Sequence, residues 1–333
     1  MIKKTIEENS EAINYFLQCA GYNYEVYIEE NENQSYRMLL KPQEIDIKID
    51  SIKQHLSYGE RNAFALALFM FSSLKGNPDL VILDDPISSF DGNKKFAIIN
   101  MLFLSKKCLR NRTVLLLTHE FGTVIDVIHT MPQYFHPAPH AHFLTTKEGK
   151  LAEKEIRKSD ISSFRKIALL NINSQIDTLN KLVYLRRLLE IEQEKLDGNK
   201  GEAWNMLSSL FHKRPTPTIE GKPMTTNEIN SAITEIRKYV PDFDYDIEYK
   251  KTQDNNQLIT IYNGSKSNYE KLQIYRILYD GKKIENSVLK KFINETFHIE
   301  NDYLFQLNPR QYDTVPQYII DACDVDIDTF MSI

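Results

Sequence analysis

Four apolar residues, Leu80-Val81-Ile82-Leu83, run straight into Asp84-Asp85-Pro86. A short, unbroken apolar run behind Asn77-Pro78 and stopped by two acids and a proline reads as a buried strand of a parallel sheet. Parallel strands need covering helices, so this part of the chain is confined to an α/β fold. In such folds ligands collect at the carboxyl ends of the strands, where Asp84 and Asp85 stand. A second run, Thr113 to Leu117, reads as a neighbouring strand that brings His119 to the same edge.

The residues around these strands suit phosphate chemistry. Ser57-Tyr58-Gly59-Glu60 precedes the apolar segment Ala63 to Phe71 and reads as a turn opening a helix. The Ser57 hydroxyl and the first backbone N–H groups sit at the positive end of that helix, an anion site suited to the terminal phosphate of a nucleotide. The helix is apolar on most sides, which predicts an interior position. Adjacent acids at a strand end suit metal-assisted phosphoryl transfer, with Asp84 holding Mg²⁺ through water and Asp85 polarising the attacking water. Asp91 reads as the N-cap of a helix reaching about Lys107.

The ordered set resembles the ABC-type ATPases, and among them the soluble SMC, RecF and RecN-like branch. The wording Asp84-Asp85-Pro86-Ile87-Ser88-Ser89-Phe90-Asp91 is most similar to the RloC/PrrC-like (AAA_13-type) ATPases of bacterial antiphage systems. Through that resemblance Leu56, Ser57, Gly59 and Glu60 belong to the signature motif, residues 80–85 to the Walker B strand and residues 88–91 to the D-loop. His119 takes the place of the switch histidine. Asp85 stands where transporters carry Glu, a form the RecF-like and RloC/PrrC-like proteins share. The resemblance implies ATP and Mg²⁺, and a nucleotide sandwich in a homodimer or hetero-assembly: Leu56, Ser57, Gly59, Glu60 and Asp91 bind nucleotide, Asp84 the metal, and Asp85 and His119 act in catalysis.

One part of the family pattern is missing. No G-x-x-x-x-G-K-[ST] phosphate loop occurs; Gly198-Asn199-Lys200-Gly201 has neither the spacing nor a preceding strand. The expectation is therefore the C-terminal portion of such an ATPase, with a Walker A-containing lobe supplied elsewhere. A truncated gene, a split gene and a cut chain all fit it.

Composition sets the outer bounds. A chain of 333 residues at 42% hydrophobic content suggests about two domains with real cores. The net charge of −5 gives no global basic footprint for nucleic acid. Three scattered cysteines, Cys19, Cys108 and Cys323, suit a reducing, cytoplasmic setting, and neither a signal-peptide pattern nor a membrane-length apolar run is present.

In chain order, residues 2–19 read as an amphipathic helix, either the end of a coiled coil or a plain surface helix. Tyr24 to Glu29 and Tyr36 to Lys41 read as a hairpin, with Glu44 to Asp50 as a third strand. Phe121 to His129 predicts a short helix. The three histidines of His136-Pro137-Ala138-Pro139-His140-Ala141-His142 read as a solvated loop rather than a metal site, because no acid or cysteine stands beside them. A hairpin over His142–Thr146 and Leu151–Ile156 closes a first domain, residues 1–157. Residues 158–333 then form a mainly helical domain: a long helix striped by Ile176, Leu179 and Val183, a helix at 204–211, a capped helix starting at Thr225-x-x-Glu228, a hairpin at 245–262, and helices at 269–278 and 284–297.

Arg186 and Glu190 continue the apolar stripe of the long helix. As residues alone they read as an exposed i,i+4 ion pair. PrrC-like proteins pair their ATPase with a helical RNA-cleaving domain that uses an Arg and a Glu four apart plus a later His. By that resemblance Arg186, Glu190 and, at a looser spacing, His212 form a nuclease trio acting on tRNA or another nucleic acid. Three readings thus compete: an ATPase portion, an ATP-gated tRNA anticodon nuclease, and a truncated or split subunit that only binds a partner.

Overall fold

A computed structural model describes residues 2–22, 24–30, 36–42, 57–88, 90, 92–147, 150–193, 200–280 and 305–331. The chain divides into two compact units, Met1–His140 and Ala141–Ile333.

In the first unit, α1 (Ile2–Cys19) buries Ile6, Ile13, Phe16 and Leu17, the stripe visible in its sequence. These residues join the core of the unit, so α1 is an integral domain helix on its described length. The expected hairpin forms from β1 (Tyr24–Glu30) and β2 (Tyr36–Pro42), paired antiparallel from Tyr24↔Pro42 to Glu30↔Tyr36. The proposed third strand at 44–50 lies outside the described residues. Helix α2 (Tyr58–Gly76) buries Ala63, Phe64, Ala67, Met70 and Phe71, whereas Phe69 is 44% exposed. Only one face of α2 is therefore interior, which corrects the expectation of a helix covered on most sides.

The central pair is β3 (Val81–Asp84) and β4 (Val114–Leu117), parallel, with Val81 opposite Val114 and Asp84 opposite Leu117. The helix between them, α3 (Gly92–Phe103), forms the crossover and ends four residues earlier than expected. Burial along β3 alternates: Val81 and Leu83 point into the core, while Ile82 is 54% exposed. Leu115 and Leu117 of β4 are also exposed. The sequence led us to expect strands buried on both faces; here one face of the pair is covered and the other is open. Beyond β4, α4 (Phe121–Val124) runs on into π-helical turns over Ile125–Thr130.

The second unit begins with the hairpin β5 (Ala141–Lys147) and β6 (Lys150–Ile156), over the expected spans, with Ala141 opposite Ile156. This hairpin belongs to the second unit rather than closing the first. The Tyr312 hydroxyl donates to the Glu155 carbonyl at 2.9 Å, and the Phe143 ring meets Tyr312 edge-on at 5.7 Å. β7 (Ile161–Ser163) leads into α5 (Phe164–Ile172), then α6 (Thr178–Gln193) and α7 (Glu202–Phe211). A two-residue ladder of β8 (Thr218–Ile219) and β9 (Lys222–Pro223) lies between α7 and the next helix. Helix α8 (Thr226–Arg237) carries the expected capping box, with the Thr225 hydroxyl accepting from the Glu228 N–H.

The hairpin expected at 245–262 is two helices, α9 (Tyr245–Gln253) and α10 (Asn255–Gly264). Each starts at an aspartate whose carboxylate accepts backbone N–H bonds: Asp244 from Ile247, Asp254 from Asn256 and Gln257. These caps stabilise helical starts and override the strand preference of the Tyr and Ile residues. Helix α11 (Asn268–Leu278) matches expectation, and the helix read at 284–297 lies outside the described residues. The short strand β10 (Phe305–Leu307) pairs with β7, and α12 (Gln317–Met331), not foreseen, packs Ile319, Ile320, Cys323 and Ile327 into a core otherwise built from α5 to α11. Among the described residues no helix is long and apolar enough to cross a membrane.

Candidate functional site

The parallel pair places Asp84, Asp85 and His119 at one edge, as their spacing predicted. The ladder runs one step past the strands: the Asp85 N–H donates to the Leu117 carbonyl at 2.8 Å. That bond holds Asp85 with φ of 45°, in the left-handed region, which few residues other than glycine adopt without strain. The turn brings the Asp85 carboxylate to His119, with Oδ2 3.0 Å from Nδ1. The other oxygen, Oδ1, is buried and finds no hydrogen-bond donor among the described residues. Asp84, the last residue of β3, is exposed beside it, and the His119 ring stands 70% exposed. An acceptor with one anchored and one uncommitted oxygen, next to a second carboxylate, suits a cation or a polarised water.

Two features at this edge were not read from the sequence. Lys95 of α3 meets Glu120 at 2.8 Å and so ties the residue after His119 to the crossover helix. The Glu120 N–H also donates to the Thr118 hydroxyl at 3.0 Å, which fixes the turn that carries His119. The sequence signal was an acid directly after the histidine, with no pattern to name its partner.

At the start of α2 the structure shows a capping box. The Ser57 hydroxyl accepts from the Glu60 N–H at 3.3 Å, and the Glu60 carboxylate accepts from the Ser57 N–H at 2.6 Å. The S-x-x-E spacing announces it. Ser57 and Glu60 therefore satisfy each other where an anion was expected, and Gly59 lies half-buried between them. Leu56 and Asp91 lie outside the described residues.

Of the expected nuclease trio, Arg186 and Glu190 share the lining of one pocket of the second unit, and that lining does not include His212. Val183, Arg187, Phe211, Tyr269, Gln273 and Arg276 complete it. His212 stands just after α7, its Nδ1 2.7 Å from Asp280 Oδ1. Glu190 does not form the expected i,i+4 pair with Arg186. It accepts from Arg187 at 2.6 Å, one residue nearer, and from Lys200. Burial pushes the Glu190 carboxyl up, but the hydrogen bonds from Lys200 and Arg187 outweigh it and hold the group below its ordinary value. The guanidinium of Arg186 lies 4.8 Å over the Trp204 ring. Burial, with Arg276 adding to it, lowers Arg186 to about 10. No group of three or more His, Cys, Asp and Glu side chains placed to hold a metal by themselves occurs among the described residues.

No family model matches the chain. Over 93 residues it is 33% identical to the lipoprotein-releasing system ATP-binding protein LolD of Buchnera aphidicola subsp. Schizaphis graminum (strain Sg). The aligned stretch is 28% of this chain and 38% of that relative. A solved structure, described as "Structural biochemistry of ATP-driven dimerization and DNA stimulated activation of SMC ATPases", shares 15% identity at a TM-score of 0.34 over 47% of this chain and 88% of its own. The chain is thus similar over part of its length to an ATP-binding protein.

Proposed function

We propose that the first unit is the signature-bearing lobe of an ABC/SMC-like ATPase, and that it works on ATP whose phosphates are cradled by a Walker A-containing lobe not present in this chain. The observation that carries this reading is the Asp85–His119 pair at the carboxyl ends of two parallel strands, 3.0 Å apart, with Asp84 beside it. The similarity to an ATP-binding relative points the same way.

In this reading Asp85 orients the attacking water through its uncommitted oxygen, and His119 stabilises charge on the transferring phosphoryl group. The donor set fits Mg²⁺: Asp84 is an exposed hard-oxygen ligand, and Asp85 Oδ1 is a buried oxygen without a donor. When bound, the ion would neutralise phosphate charge; holding it falls to Asp84. Ser57 and Gly59 reach the terminal phosphate of nucleotide held by a second copy or partner. Closing that contact requires the Glu60 carboxylate to leave the Ser57 N–H, since it sits where the phosphate would go.

The exposed apolar face of β3–β4, with Ile82, Leu115 and Leu117, supports a missing lobe, because parallel strands are stable when covered on both faces. The RloC/PrrC-like antiphage assignment rests on the wording of residues 84–91 alone. The test is a titration of labelled ATP and Mg²⁺ against the purified chain, with and without a co-expressed Walker A lobe. Weak binding alone and tight binding with the lobe are expected, because phosphate contacts dominate nucleotide affinity. Micromolar affinity for the isolated chain would refute the reading.

A further inference from the structure

The second unit contains a pocket for which the ATPase reading has no use. Helix α6 supplies Arg186, Arg187 and Glu190 to it, and α11 supplies Gln273 and Arg276 one turn apart. Three of the buried nitrogens of these side chains find no acceptor among the described residues: Arg186 Nε, Arg187 Nε and Gln273 Nε2. Gln273 is only 6% exposed, so its amide nitrogen has no recourse to bulk water. Buried donors normally find partners, and three unmet ones around one space ask for an acceptor.

The charges are unmatched too. Glu190 is shared between Arg187 and Lys200, and Asp280, the carboxylate nearest Arg276 in its electrostatic effect, is also engaged by His212. Arg186 is left over the Trp204 ring with no ion pair among the described residues. Among the described residues Arg186 is thus a buried cation with no carboxylate of its own. The free space is narrow, about 10 Å³, enough for one water-sized atom group. A water would satisfy at most two of the donors and none of the charge. An anionic oxygen does both.

We propose that this pocket binds a phosphate-type oxyanion, receiving one of its oxygens among Arg186, Arg187 and Gln273, beside Arg276, while the rest of the molecule stays outside. The donors come from two helices, and a site rich in guanidinium groups suits phosphate, which Arg recognises well. The narrow space rules out entry of a base or a sugar. Trp204, beneath Arg186 and 4.3 Å from Lys200, holds the cationic rim in place.

The test uses the full chain and does not depend on ATP hydrolysis. Equilibrium dialysis would be run with radiolabelled inorganic phosphate, with a 5′-phosphorylated tetraribonucleotide, and with the same oligonucleotide lacking its end phosphate. Saturable, single-site binding is expected, weakened about 10-fold or more by Arg186→Met and several-fold by Gln273→Met, as losing charged or buried donors should do. Arg186→Lys should bind at an intermediate level, and Lys238→Met, the loss of an exposed cation outside the pocket lining, should bind as wild type. Circular dichroism would verify folding; should Arg186→Met fail to fold, Gln273→Met carries the test. Tightest binding of the phosphorylated oligonucleotide assigns an end phosphate. Equal binding of both oligonucleotides assigns the backbone diester, and binding of phosphate alone assigns the free anion. If none of the three saturates, or if both substitutions bind like wild type, the proposal is overturned.

Discussion

The two units handle their charged groups in opposite ways. In the first, Asp84 and His119 stand exposed at the end of a two-stranded sheet whose outer face shows Ile82, Leu115 and Leu117 to solvent. In the second, polar side chains are drawn inward and tied up. Glu270, 1% exposed, takes an ion pair from Arg310 at 2.9 Å and a hydrogen bond from the Tyr184 hydroxyl at 3.3 Å. The Asn171 and Asn308 amides exchange two bonds of 3.0 Å. Where the second unit ties up its polar groups in this way it needs nothing further, and the pocket at Arg186 is the exception. A unit that leaves reactive carboxylates and an apolar sheet face outside is shaped for an addition.

The largest effect that separates the units is catalytic. In an assembly restored with a Walker A lobe, Asp85→Asn should still bind ATP but hydrolyse it at least ~100-fold more slowly, as loss of a positioned base predicts. Wild-type turnover in a phosphate-release assay would remove Asp85 from the chemistry and with it the contrast drawn above.

Packing supplies the next test. Leu188 is fully buried in the second unit, so Leu188→Ala should cost about 2–5 kcal/mol in urea unfolding of the chain. Ile82→Ser, at a position 54% exposed, should change stability of the lone chain by no more than about 0.5 kcal/mol. The same Ile82→Ser change should weaken assembly with the missing lobe. A large loss of stability in the lone chain would mean that the sheet face is already covered.

A smaller effect is expected at the start of α2. Gln can replace Glu in a capping box, so Glu60→Gln should keep the cap of Ser57 while removing a negative charge from the anion position. ATP-driven assembly should tighten by roughly 2–5-fold, the scale of a charge at a helix N-terminus. Unchanged or weaker assembly, measured by sedimentation at several ATP concentrations, would place the phosphate elsewhere.

The smallest concerns pH. Hydrogen bonds hold the Glu190 carboxyl below its ordinary value in the folded chain. Its contribution to stability is therefore present above the unfolded carboxylate range and is lost as pH falls through the folded value. The stability difference between wild type and Glu190→Gln should shrink between pH 7 and pH 3.5 in matched urea titrations. A difference that grows on acidification would contradict the pairing with Arg187 and Lys200.

Much of the first unit was legible because its signals are local. The β1–β2 hairpin, the α1 stripe, the two strands and the meeting of Asp85 with His119 follow from alternation, periodicity and strand-end position. The open face of β3 was not legible, because an unbroken apolar run gives no sign of which side is covered. In the second unit the failure at 245–262 has a clear source: Asp254-Asn255-Asn256 suits a hairpin turn, yet aspartate serves a turn and a helix cap equally well, and here the cap at Asp254 and the burial of Leu258 and Tyr262 go with helix. The pocket around Arg186 was half visible. Two charges on an apolar stripe announced it, but Gln273 and Arg276 arrive from a helix more than eighty residues away, and no spacing rule links them.

The left-handed backbone at Asp85 bears on which residues the chemistry can draw from. Asp and Asn enter that region several times more readily than other side chains, because a short polar group can bond to its own neighbourhood. A glutamate in the same place would carry the same charge one methylene further but would meet the backbone at a cost. The shorter acid, which the resemblance gives only as a shared form, is then also the one that suits the turn. Exchanging one carboxylate for the other at position 85 is a change of conformation before it is a change of reach.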